Sequence, residues 1–179
     1  MTTFKDDLIT LLPNLRAFAR SLCGNPDWAD DIVQETILRA WASQSGFEPG
    51  TNLKAWLFTI LRHYFYNEVR KRRHSAEVRS EEPPQGVVNE CQPLQLHLAD
   101  LARELNHLPA EQREALILTS VHGFSYEQVA SICNCALGTA KSRVARARRA
   151  LTERLGGPEI GTVMAPSSES VTQSASRST

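Results

Sequence analysis

Between Lys141 and Arg149 the chain sets five cations, Lys141, Arg143, Arg146, Arg148 and Arg149, beside the hydroxyl of Ser142, with Thr139 just ahead and no acid before Glu153. A surface of one sign attracts a phosphate backbone. Arg and Lys also reach guanine in the major groove, and a serine hydroxyl can donate or accept at a base edge. A solvated basic helix would carry the same residues, at the cost of mild repulsion between cations three and four apart. The preceding residues favour DNA. Ser125 and Gln128 have the spacing of a capping box, which predicts a short helix over residues 126–133. Asn134 and Gly138 then bracket a turn, and a second helix is expected from about Thr139. Its apolar positions Ala140, Val144, Ala147 and Leu151 fall on one face, leaving the cations for a ligand. This is the pattern of a helix-turn-helix.

A second cluster interleaves cations with aromatics: Arg62, His63, Phe65, Tyr66, Asn67, Arg70, Lys71, Arg72 and Arg73. That combination can hold a phosphate backbone while stacking unpaired bases. Equally, Phe65 and Tyr66 can complete a core while the basic end favours the helix dipole. A third stretch, Asp27 to Trp41, offers Asp30, Asp31, Gln34, Glu35, Leu38 and Arg39 outside or at the edge of an apolar seam of Ile32, Val33, Thr36, Ile37, Ala40 and Trp41. Asp27 is the expected cap.

The elements that must carry these residues are all helical. Leu8, Leu12, Leu15, Phe18 or Ala19, and Leu22 predict a first helix, closed by Gly24-Asn25-Pro26. The third helix follows the loop 42–52 and buries Leu53, Trp56, Leu57, Ile60, Leu61 and Tyr64. Leu94, Leu98, Leu101, Leu105 and Leu108 mark another, and residues 110–122 a further one with Leu116, Ile117 and Val121 inward, closed by Gly123. The expected fold class is all-α, with two small helical domains: a three- or four-helix bundle at 1–73 and a helix-turn-helix domain at 94–155. Residues 74–93, with three prolines and a net negative charge, are expected to be a flexible linker; 156–179, rich in Ser and Thr, a disordered tail.

The formal net charge of zero hides this division, because two basic domains flank an acidic linker. No leader and no apolar run near the length of a membrane span is present, so a cytoplasmic protein is expected. Cys23, Cys91, Cys133 and Cys135 lack paired zinc-ligand spacing and are expected to be buried or incidental thiols, with a redox role for the last two the alternative. There is no Gly-rich phosphate loop and no nucleophile with an evident base, so neither an enzyme nor a cofactor or metal is expected.

Four segments, DIVQETILRAW (31–41), FEPGTNLKAWLFTILR (47–62), LPAEQREALIL (108–118) and GFSYEQVASICNCALGTAKSRVARAR (123–148), resemble in order an extracytoplasmic-function RNA polymerase sigma factor, and in wording its general-stress-response subgroup. The resemblance implies that the first domain is sigma region 2 and the second region 4. It implies that Asp30, Asp31, Gln34, Glu35 and Arg39 contact core RNA polymerase. Phe47, Asn52, Arg62, His63, Tyr66, Asn67, Arg70 and Lys71 would read the promoter minus-10 element and take up an extruded base of the non-template strand. Thr139, Lys141, Ser142, Arg143, Arg146, Arg148 and Arg149 would read the minus-35 duplex. His63 stands where the family commonly has Asn, and Ala145 where some relatives are bulkier. An anti-sigma factor, itself titrated by a sigma-like response regulator, is the implied control. A one-component DNA-binding regulator and a sigma-like decoy are the alternatives; the first leaves the acidic 27–41 face unexplained, and intact basic residues in both readers argue against the second.

Overall fold

The computed structural model describes residues 4–48, 50–77 and 101–155, and among these every regular element is helical. Helix α1 (Phe4–Cys23) buries Leu8, Leu15, Phe18 and Ala19, and Gly24 ends it at φ +67°, where a side chain would be strained. Helix α2 (Pro26–Ala42) is capped by Asn25 rather than by Asp27: the Trp28 amide donates to Asn25 Oδ1 at 2.9 Å. Pro26 then takes the first helical position, where its missing N–H costs nothing, and Asp27 is left inside the first turn.

Ala29, Ile32, Val33, Thr36 and Ala40 form the buried seam of α2, and the Thr36 hydroxyl is satisfied by donating to the Ile32 carbonyl. Trp41, expected inward, is 53% exposed. Two helical turns beyond Gln34, it shares that residue's outer face, and its ring lies 6.2 Å from that of Phe4 at the rim.

A 3₁₀ turn (Gln44–Gly46) leads to α3 (Leu53–Glu77), which Asn52 caps by accepting from the Ala55 amide at 3.0 Å. Leu57, Phe58, Leu61 and Phe65 are its buried residues. Phe65 therefore belongs to the core, its ring 5.4 Å from that of Trp28. Helix α3 runs past the expected boundary at 73. The rest of the expected linker, residues 78–93, together with 94–100 and the tail 156–179, lies outside the described residues.

The second unit begins with a helical segment at 101–106 (α4), followed by α5 (Ala110–Ser120), α6 (Tyr126–Ile132) and α7 (Leu137–Leu155). Helix α5 stops two residues early. Val121 leaves it and is 67% exposed, while His122 takes the inward place at 6%. Gly123, at φ +71°, makes the reversal into α6. The expected stripe of Ala140, Val144, Ala147 and Leu151 is the buried face of α7, which packs on α5 and α6.

The two units are docked on each other, α6 against α3 and α5 against α1. Their buried residues form one continuous core. Among the described residues no helix is long and apolar enough to cross a membrane.

Candidate nucleic-acid interface

The helix-turn-helix is built as its sequence requires. The Gln128 amide donates to Ser125 Oγ at 3.3 Å, and the Ser125 amide donates to Gln128 Oε1 at 2.9 Å, a complete capping box. Asn134 makes the turn at φ +49°, a conformation Asn tolerates better than most side chains. Because Asn134 supplies the left-handed residue, Gly138 is free to join α7, which begins two residues ahead of the expected start.

The cations of α7 do not all point the same way. Lys141, Arg146 and Arg149 are exposed. Arg149 pairs with Glu153 one turn on, at 2.9 Å, an exposed contact easily exchanged for a phosphate. Arg143 is turned back toward α5, where it pairs with Glu111, and its side chain is 16% exposed. Arg148 lies at the edge of the packed face, with Nε and one terminal nitrogen buried and unpartnered among the described residues. Thr139 and Ser142 are partly buried, the Ser142 hydroxyl donating to the Thr139 carbonyl at 2.9 Å. The open reader is therefore narrower than the sequence list.

Helix α3 divides its residues among faces set by the 100° turn per residue. His63 and Asn67, both exposed, line an open cleft of about 410 Å³ between α3 and the end of α2. Ile60 forms part of its lining, and Arg39 and Ser43 face it from α2. The Arg39 guanidinium lies over the Tyr64 ring, 4.6 Å from its centre, and Arg39 Nε donates to Glu35 Oε1 at 2.8 Å. An aromatic plane, a cation and two exposed polar side chains beside an aliphatic floor can hold a nucleobase by stacking and edge hydrogen bonds. Tyr64, Ile60 and Ser43 were missed from sequence, where the first two read as core. The signal was the row 60, 63–64, 67, one turn apart on a helix whose other side is already filled.

Arg62 and Tyr66 point elsewhere. Arg62 Nε donates to Glu114 Oε1 at 2.7 Å, and the Tyr66 hydroxyl to Glu114 Oε2 at 3.1 Å, across the junction with α5. Burial pushes the Glu114 carboxyl above its ordinary pKa, against the pull of Arg62 and of both hydrogen bonds. Asn52 is engaged as the cap of α3. Phe47 joins a ring cluster, 5.3 Å from Trp56, at the edge of a smaller cleft. Arg70 is exposed, and Lys71 pairs with Glu68 at 2.7 Å.

On α2, Asp31 and Gln34 are exposed and Asp30 lies 3.7 Å from Arg16. Leu38, expected outside and 65% exposed, and Trp41, expected inward, share this outer face, so the acidic ridge has an apolar end. Burial pushes the Cys133 thiol up to about 12, and the Cys23 thiol likewise, which disfavours the reactive thiolate at these two positions. Among the described residues no cluster could hold a metal ion.

Comparisons with known proteins agree with this layout. Residues 8–75 match Sigma-70 region 2, and residues 98–151 match Sigma-70, region 4. The chain is 51% identical over 156 residues to an ECF RNA polymerase sigma factor, EcfG, of Rhodopseudomonas palustris, covering 86% of this chain and 85% of that protein. It superposes on the sigma factor RpoE solved in complex with the anti-sigma factor NepR from Bartonella quintana, with a TM-score of 0.79 and 50% identity, over 87% of this chain and 98% of the other. CnrH, solved with the cytosolic domain of CnrY, gives a TM-score of 0.64 and 25% identity over 86% and 87% of the two chains.

Proposed function

We propose how this chain works from the premise that it belongs to the extracytoplasmic-function RNA polymerase sigma factors. Such a chain binds core RNA polymerase and directs promoter-specific initiation of transcription; it does so in the cytoplasm, beside the enzyme it serves, and without catalysing a reaction of its own. The α2 ridge of Asp31, Gln34, Leu38 and Trp41, with Asp30 and Glu35 alongside, is the polymerase contact. The cleft under Arg39 and Tyr64 takes up one base of the non-template strand at the minus-10 element, with His63 and Asn67 at the base edge and Arg70 and Lys71 on the backbone. Lys141, Arg146 and Arg149 lie against the minus-35 duplex, Arg146 in reach of base edges and the others on phosphate.

The observation that carries this reading is the separation of two cationic readers on two helical units, one beside a base-sized cleft and the other on an open recognition helix. Arg62 and Tyr66, expected at the minus-10 element, are held by Glu114 in the docked chain. A helical anti-sigma factor of the NepR kind, displaced by a sigma-like response regulator, is the regulation we infer.

Run-off transcription with purified core polymerase on a promoter library tests the reading. The expected result is transcripts whose start sites share a minus-35 and a minus-10 sequence. Core polymerase that yields no chain-dependent transcript from any promoter overturns it, and would leave a decoy as the better account.

A further inference from the structure

Arg143 of α7 is held by a neighbouring helix: its guanidinium donates to the carboxylate of Glu111 on α5, 32 residues back in the chain. Helices α5 and α7 pack on each other, so the pair closes over their seam. It is lopsided. The Arg143 side chain is 16% exposed and that of Glu111 63%, so the arginine lies back over the domain while the carboxylate reaches out from it. Arg149 makes the contrast. Its partner Glu153 is on the same helix and both are exposed, so phosphate can take that guanidinium without moving it off the reading face.

A freed Arg143 would be close to DNA. It stands three residues before Arg146, about 60° around the axis at 100° per residue, on the flank of the face that carries Arg146 and Arg149. From that flank a guanidinium swung off α5 faces the wall of the groove in which α7 lies, where the phosphates run. No other acid of α5 is placed to take Glu111's part. Glu114, one turn on, lies near enough to feel the Arg143 charge, but its two oxygens already accept from Arg62 and Tyr66.

We infer that Glu111 is a positioning residue of the minus-35 reader: its carboxylate stands in for phosphate at Arg143 and withholds that cation from DNA. The inference rests on the reading of α7 as a DNA-binding helix given above. Its consequence concerns every sequence rather than the promoter. A phosphate contact carries no base information, so a freed Arg143 strengthens binding to promoter and bulk DNA alike. Bulk sites outnumber a promoter by roughly 10⁶–10⁹, and a chain caught on them is withdrawn from core polymerase. Glu111 thus holds down sequence-independent binding.

Glu111 also sits in the first turn of α5, where a negative charge favours the helix dipole. Loss of that purely structural use lowers thermal stability but leaves the salt dependence of DNA binding alone. Full-length Glu111→Gln is therefore compared with wild type by fluorescence anisotropy on a duplex of arbitrary sequence, across a salt series. The variant is expected to bind about fivefold tighter at low salt. Its plot of log affinity against log salt is expected to steepen by about 0.9, the signature of one more phosphate neutralised. Adding Arg143→Met is expected to return both readings to the wild-type values. A duplex carrying the minus-35 element found by run-off transcription is expected to tighten by the same factor, leaving the ratio between the two duplexes unchanged. Unchanged affinity and slope overturn the inference. So does a gain that persists in the double variant, since the lost negative charge would then act without Arg143. Weaker binding also overturns it, making the pair a support for an arginine already on DNA. The arbitrary duplex needs no polymerase, so a failure of run-off transcription would overturn the sigma-factor reading and leave this result standing.

Discussion

The Arg39 guanidinium sits 4.6 Å from the centre of the Tyr64 ring, tying the last turn of α2 to the middle of α3. The contact makes one wall of the cleft, so in the function proposed above Arg39 serves the DNA side of the first unit rather than its polymerase ridge. Arg39→Ala is expected to lower promoter opening about tenfold, the scale of one lost base stack. Core polymerase binding, carried by the other side of α2, is expected to hold. Permanganate reactivity of the minus-10 region, beside a pull-down with core enzyme, separates the two effects. Equal losses in both assays would return Arg39 to the polymerase contact.

His63 presents two ring nitrogens at the cleft. His63→Asn is expected to change which base is preferred at the captured minus-10 position, leaving the minus-35 preference alone. Transcription from four templates differing only at that base reads the change. An unaltered ranking would place His63 outside base recognition.

Arg146 and Arg148 carry the same charge and differ in direction. Arg146→Ala is expected to weaken minus-35 duplex binding by about 1–3 kcal/mol at fixed salt if it makes a bidentate base contact. Arg148→Met, which removes a guanidinium already half withdrawn into the domain, is expected to change that affinity by less than about 0.5 kcal/mol. Fluorescence anisotropy on one duplex measures both, and a reversal of the order would reassign the reading face.

His122 is buried against Phe18 and Phe58, and neither ring nitrogen has a hydrogen-bond partner among the described residues. Burial, then the nearby Lys54 charge, lowers its pKa to about 4. Its native form is therefore neutral, whereas the unfolded imidazole takes a proton near its ordinary 6.5. Between these values the unfolded chain binds more protons, so this contribution to stability is full above pH 6.5 and is lost as pH falls toward 4. His122→Phe removes both the unpaired nitrogens and the titration. It is expected to raise stability at pH 7.5 by about 1 kcal/mol, and by more at pH 5.5. Denaturant melts of both chains at the two pH values check this; parallel losses on acidification would show that His122 is not the titrating group.

How far the sequence led depends on the range of the interaction. The capping box of Ser125 and Gln128 and the buried stripe of α7 depend on residues three and four apart, and both were legible. Asp27 is a good acceptor just before an apolar seam and so reads as the cap; Pro26, which takes the first helical position, gives that role to Asn25 instead. Arg62 and Tyr66 were the harder case. They share a run with His63 and Asn67, yet about 100° of rotation sends the two pairs to different faces, and the carboxylate that holds the first pair is 52 residues away from Arg62. No periodicity carries a partner at that distance.

Helix α3 bears the cleft proposed for a base on one side and, on another, Lys54, Phe58, Arg62 and Tyr66 against the second unit. Reciprocity follows: whatever factor the docked second unit subtracts from promoter affinity, a bound promoter must subtract from docking. A ligand confined to the cleft, with no preference between docked and parted chains, would shift nothing. Docking engages Arg62 and Tyr66 through Glu114 as well as limiting the reach, so a template with its two elements brought unnaturally close should relieve only part of the coupling.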